Sequence, residues 1–212
     1  MVIYIMPKNK HSKKSVITLK GVAPLVSSIL IIGVLAGITG IAYQWGMPMM
    51  QKNVGKTELY SAETLLKNLD KKIDDVARNG GREEVLFNLP GEIKVYDADN
   101  RIEFILETSG SIYAPGGFIC FSRNCDLDEG IWGEDSYTVL GAQVLQSDRK
   151  YAQTKYILLF RELISDSATY TRDIVTTEGG TLTGSKGNKI VISKIGEERG
   201  DTIKTIIKID LI

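Results

Sequence analysis

Polar and apolar positions change rhythm twice along this chain, once on either side of residues 52–81. Charged side chains disappear from Gly21 to Gln51, and Ile29 through Ala42 is almost entirely apolar or small. About 20 apolar residues cross a bilayer core as a helix, so this stretch is long enough to span one. A core helix of a water-soluble domain rarely stays uncharged for so long, because one of its faces meets solvent. From Thr57 the rhythm becomes amphipathic. Leu59, Ala62, Leu66, Leu69, Ile73 and Val76 recur at spacings of three and four, which places them on one helical stripe. Glu63 with Lys67 and Asp74 with Arg78 are favourable i,i+4 pairs. Asn79-Gly80-Gly81 is a stop signal. One long helix from about Val22 to Arg78 is therefore expected, apolar all round in its first half and on one face in its second. Gly46 and Pro48 invite a kink or a locally melted turn within it.

After Gly81 the helical period vanishes. Val85, Phe87 and Leu89 alternate, and Pro90-Gly91 turns the chain. Ile93 with Val95, then Ile102, Phe104 and Leu106, repeat the alternation. Pro115-Gly116-Gly117 is a further turn. Residues 137–145, 154–164, 169–175, 189–195 and 202–211 read as later strands, the last with Ile203, Ile207, Ile209 and Leu211 on one face. Short strands with frequent turns predict an antiparallel sandwich or barrel. The expected fold class is α+β: a long N-terminal hydrophobic helix followed by an antiparallel β-sandwich-like head domain. The implied segments are a basic leader (1–21), a hydrophobic membrane or assembly helix (22–51), an amphipathic continuation (52–81) and a β-rich head (82–212).

Charge adds a direction. The 212 residues hold 26 basic and 26 acidic side chains. The first 21 residues carry Lys8, Lys10, Lys13, Lys14 and Lys20 and no acid, so the remainder is acidic. Lysines before an apolar helix place that side in the cytoplasm and everything after about residue 52 outside. An acidic body argues against a nucleic-acid partner.

The leader is hydrophilic, and Lys20-Gly21 sits immediately before the helix; no small-x-small cleavage site follows it, as a secretory signal would have. Lys20-Gly21 followed by Val22-Ala23-Pro24-Leu25-Val26-Ser27-Ser28-Ile29-Leu30 resembles the class III signal of archaeal type IV pilins and archaellins. Bacterial relatives carry Glu at the fifth position after the cut, where Val26 stands here, which favours the archaeal pattern. The resemblance covers about 30 residues. It implies cleavage between Gly21 and Val22 by a prepilin peptidase on the cytoplasmic face, with Lys20, Gly21 and Val22 as the cleavage site. It also implies that the freed helix leaves the bilayer and packs with copies of itself. Pro24 near the helix start breaks no hydrogen bond. Gly33, Gly37 and Gly40 permit close backbone approach, and Leu25 and Ile29 lie on the same assembly helix. Ser27, Ser28 and Thr39 can hydrogen-bond within or between helices, and Tyr43 and Trp45 fit an outer-interface aromatic anchor.

The head offers little chemistry by sequence. Cys120 and Cys125 are the only cysteines. In an external compartment a disulfide between them would close a small loop and contribute roughly 2 kcal/mol; two free thiols, or half a metal site, are the alternatives. Nothing completes a metal site, since the sole histidine is His11. Asp126, Asp128, Glu129, Glu134 and Asp135 crowd one stretch but depart from the EF-hand spacing, so a solvated acidic loop is expected. Residues 179–186 run Gly-Ser-Lys where a phosphate loop has Gly-Lys-Ser, so a glycine-rich hairpin loop is expected. No Ser/His/Asp set exists without a histidine in the body, and no Asn-x-Ser/Thr sequon occurs. The expectation is a non-enzymatic chain without cofactor. It would be a membrane-held precursor and then an extracellular filament subunit partnered with itself. The alternative is a single-pass membrane-anchored extracellular binding or adhesion module, or an accessory (minor) pilin.

Overall fold

The computed structural model describes residues 23–127, 129–147, 151–177 and 179–212. The described residues fall into two compact units, divided between Pro48 and Met49. One helix, α1 (Ala23–Asn79), supplies all the described residues of the first unit and opens the second. Pro48 lies inside it in helical conformation, so no turn melts there. The helix ends at Gly80, whose positive φ of 74° and N–H bond to the Val76 carbonyl at 2.8 Å form a left-handed cap.

Among the described residues twelve strands follow: β1 (Arg82–Leu86), β2 (Gly91–Tyr96), β3 (Arg101–Thr108), β4 (Phe118–Cys120), β5 (Glu129–Ile131), β6 (Thr138–Ser147), β7 (Ala152–Phe160), β8 (Glu162–Ile164), β9 (Thr169–Val175), β10 (Thr181–Ser185), β11 (Lys189–Arg199) and β12 (Thr202–Leu211). They form two six-stranded sheets, ordered β1-β11-β12-β9-β8-β5 and β10-β2-β3-β7-β6-β4. Pairing is antiparallel except for β12 with β9 and β5 with β8. The layout is α+β, a long N-terminal helix and a mostly antiparallel two-sheet head.

The head is held by one core to which three layers contribute. Leu59, Ala62, Leu66, Leu69, Ile73 and Val76 of α1 are all but sealed from solvent. They share a cluster with Ile93, Phe104, Leu106 and Leu158 of one sheet and Ile190, Ile192, Ile207 and Ile209 of the other. The buried Tyr156 hydroxyl donates to the Leu59 carbonyl at 2.9 Å, which fixes the helix against β7. Beside this stripe, Lys67–Glu63 and Arg78–Asp74 form i,i+4 ion pairs.

Three sequence readings need correction. Residues 154–164 are not one strand. β7 ends at Phe160 and β8 begins at Glu162 in the other sheet, with the buried Arg161 at the corner. Its side chain satisfies the 124–136 loop: Nε donates to the Ser136 carbonyl at 3.0 Å and Nη1 to the Asp126 carbonyl at 2.7 Å. Residues 179–186 are not simply a loop. β10 pairs with β2 as an edge strand, and positive-φ glycines at 179, 180 and 187 make its ends. The acidic stretch holds the short β5, missed because three residues give too little alternation to read.

Gly91 shows how tightly the first hairpin is built. Its φ is 149°, and a Cβ there would stand 2.2 Å from the Ile105 carbonyl oxygen, a backbone atom that cannot swing away. Gly91→Ala is expected to lower stability by about 1–3 kcal/mol, read as an earlier urea midpoint of the head. Gly196→Ala, where the new methyl would meet only Ile206 at 3.7 Å, is expected to leave the midpoint near wild type.

Candidate functional site

The assembly-helix residues read from sequence are all on α1 and all open to solvent. Pro24 is exposed, Leu25 is 63% exposed and Ile29 65%. Nothing lies within 4 Å of where a Cβ would be added at Gly33, Gly37 or Gly40. Leu30, Ile32, Leu35, Ile38 and Ile41 are likewise exposed, and so are Tyr43 and Trp45. The apolar surface therefore runs round the whole helix from Leu25 through Ile41. Burial begins only at Gly55 and Leu59. The helix is long and apolar enough to cross a membrane, and none of the most apolar window is buried.

Two hydroxyls on this segment find partners within the helix. Ser28 donates to the Leu25 carbonyl at 2.9 Å and Thr39 to the Leu35 carbonyl at 2.8 Å. Bonding back to the preceding turn satisfies a hydroxyl within its own helix, so both residues present an outer surface compatible with lipid or with another apolar helix. Lys20, Gly21 and Val22, the residues of the expected cleavage site, lie outside the described residues.

On the head, Cys120 and Cys125 are bonded, with Cα atoms 6.1 Å apart. Hydrogen bonds organise the acidic loop beside them. Asp135 Oδ2 accepts from the Ile131 backbone N–H at 2.9 Å and from Asn124 at 3.3 Å, and Arg161 stands 3.7 Å away. The Ile131 N–H, first among these, holds the Asp135 carboxyl below its ordinary range. Among the described residues no group of three or more His, Cys, Asp and Glu is placed to hold a metal; Asp128 lies outside them.

A cavity of about 740 Å³ opens between the C-terminal turns of the amphipathic helix and the turn after β5. Sequence reading missed it, because its residues come from positions 70–78, 132–137, 163, 172 and 205. Trp132 stacks on Tyr170 with centroids 3.8 Å apart and planes 14° from parallel, and stands edge-on to Tyr137 at 5.9 Å. The Arg172 guanidinium lies 3.8 Å over the Tyr137 ring and donates to Asp74 at 2.6 Å. The one local signal was a tryptophan beside Glu134 and Asp135 in a stretch read as solvated.

Asp70 lines the same cavity. Burial raises its carboxyl above the usual range, Asp74 adds to this, and the Thr138 hydroxyl and Arg172 pull it back. A raised pKa in the fold means that the fold favours the protonated acid. That contribution is present below the unfolded value and is lost as pH rises through the folded one. Asp70→Asn keeps an acceptor for Thr138 and removes the titration. It is expected to melt above wild type at neutral pH, with the gap closing as pH falls through the raised folded value and gone below 3.8, the ordinary value. A pH-independent gap in paired melting curves would contradict this.

No family model matches this chain, and it matches no curated protein and no solved structure.

Proposed function

We propose that this protein is a structural subunit of an archaeal type IV pilus-like surface filament, cleaved after Gly21 and assembled through its N-terminal apolar helix. The observation that carries this reading is the exposure of α1 from Leu25 to Ile41 on every face. A free monomer cannot keep such a surface in water, since at roughly 25 cal/mol per Å² it must be covered by lipid or protein. The Lys20-Gly21 border and the open glycines at 33, 37 and 40 favour exchange of lipid for copies of the same helix. The precursor sits in the membrane with residues 1–20 in the cytoplasm. The product sits outside the cell with the head on the filament surface, where an oxidising compartment suits the Cys120–Cys125 bond.

A single-pass anchored binding module uses the same helix permanently, and the aromatic cavity on the head favours that second reading. Shearing separates the two. Filaments released from cells, visible by electron microscopy and containing this chain, are expected of a subunit. A chain that stays wholly with the membrane fraction under shear would reject the filament reading in favour of the anchor.

A further inference from the structure

We propose that the cavity beside Trp132, Tyr137 and Arg172 is a binding site for a neutral pyranose sugar. Trp132 is the anchor. One of its faces is covered by Tyr170, yet the residue remains 43% exposed, on a turn held rigid by the bonds of Asp135 to Ile131. A tryptophan kept for packing alone would be covered on folding, because its ring is among the largest apolar surfaces a residue can bury. A flat indole supported from behind is instead suited to a ligand with one apolar face. The C–H face of a pyranose ring meets that need, its partial positive charge facing the negative π cloud.

The other half of such a ligand is hydroxyls, which want fixed donors and acceptors. Arg172 supplies a planar, mostly buried guanidinium held in place by Tyr137 and Asp74, Asp74 is further held by Arg78, and Glu134 adds an exposed carboxylate. Charged partners give the stronger hydrogen bonds. The cavity's size falls in the range of small-ligand sites, roughly 300–1,000 Å³.

The same geometry disfavours two other ligand classes. A quaternary ammonium needs several aromatic faces turned inward. Here Trp132 and Tyr170 face each other, and the Tyr137 face is taken by Arg172. A nucleotide or other polyanion would bring charge to a lining that already holds four carboxylates against three basic side chains, which repel it.

The site lies on the head and does not depend on filament assembly, so its test is separate. The full chain, in a detergent without a sugar headgroup, is titrated with neutral tetrasaccharides of glucose, mannose, galactose and N-acetylglucosamine. Phosphocholine and a heparin tetrasaccharide serve as comparators, and saturation-transfer NMR is the readout. At least one neutral sugar is expected to bind, with its ring C–H protons most strongly saturated. Trp132→Ala is expected to weaken that binding at least about tenfold, while Trp132→Phe, which keeps an aromatic face, stays within about threefold. Melting curves of both variants establish that they are folded. The proposal is overturned if no neutral sugar binds the folded wild-type chain, if the comparators bind in its place, or if Trp132→Ala binds as wild type does. If Trp132→Ala does not fold, Trp132→Leu, which keeps apolar volume without an aromatic face, takes its place: a loss of about tenfold or more upholds the site and a smaller change overturns it.

Discussion

A chain carrying Gly21→Arg is expected to remain a full-length membrane precursor and to form no filaments. On the proposed reading the scissile bond follows Gly21, at the cytoplasmic border of the apolar helix. Arginine there adds a long charged side chain where the resemblance to archaeal pilins implies that a peptidase requires none. The uncut chain also keeps its leader, with five lysines. Each lysine resists entry into the bilayer core by about 2.5–3.5 kcal/mol on insertion scales, so an uncleaved helix cannot be drawn out of the membrane from its inner end. Immunoblots of whole cells and of sheared material check both parts. Gly21→Ala, a smaller change, is expected to be processed at least in part. Filaments built from uncut Gly21→Arg chains would show that cleavage is unnecessary.

Leu66→Ala is expected to lower the stability of the head by about 2–5 kcal/mol. Leu66 is fully buried in the core that joins α1 to both sheets. Its loss leaves a cavity that neither sheet can close without breaking its ladder. Against a typical total of about 5–15 kcal/mol, that is a large fraction. Leu30→Ala, at a position 63% exposed, is expected to leave the melting of the head unchanged. The contrast separates the two duties of one helix, since the same Leu→Ala change acts on folding at residue 66 and only on the helix's outer contacts at residue 30. Equal losses of stability from the two variants, in denaturation followed through near-UV circular dichroism, would contradict this division.

The helix and the β character of the head were legible because their periods are long and regular. The stripe from Leu59 to Val76 repeats over five turns, and every member is buried. Alternation in β2 and β3 likewise marked Ile93, Val95, Ile102, Phe104 and Leu106, all of them sealed from solvent. What escaped was non-local. The sheet change at Arg161 occurs inside an apolar run whose pattern continues across it; only the buried charge marks the corner. The parallel pairing of β12 with β9 joins strands that no turn connects, so no turn signal announces it. The Trp132 cavity gathers its residues from a helix, a loop and three strands, and nothing in the spacing of Trp132, Tyr170 and Arg172 shows that they meet. Gly46 and Pro48 misled in the other direction: proline breaks helices in most contexts, yet here the helical conformation passes through it.

The central claim, that the apolar helix is first an anchor and then an assembly interface, rests on cleavage at its border. Intact-mass and N-terminal analysis of the chain recovered from sheared cell-surface material tests that claim most directly. The account predicts a mature N-terminus at Val22, with residues 1–21 absent. Surface material that still begins at Met1 and retains Lys20-Gly21 would contradict it.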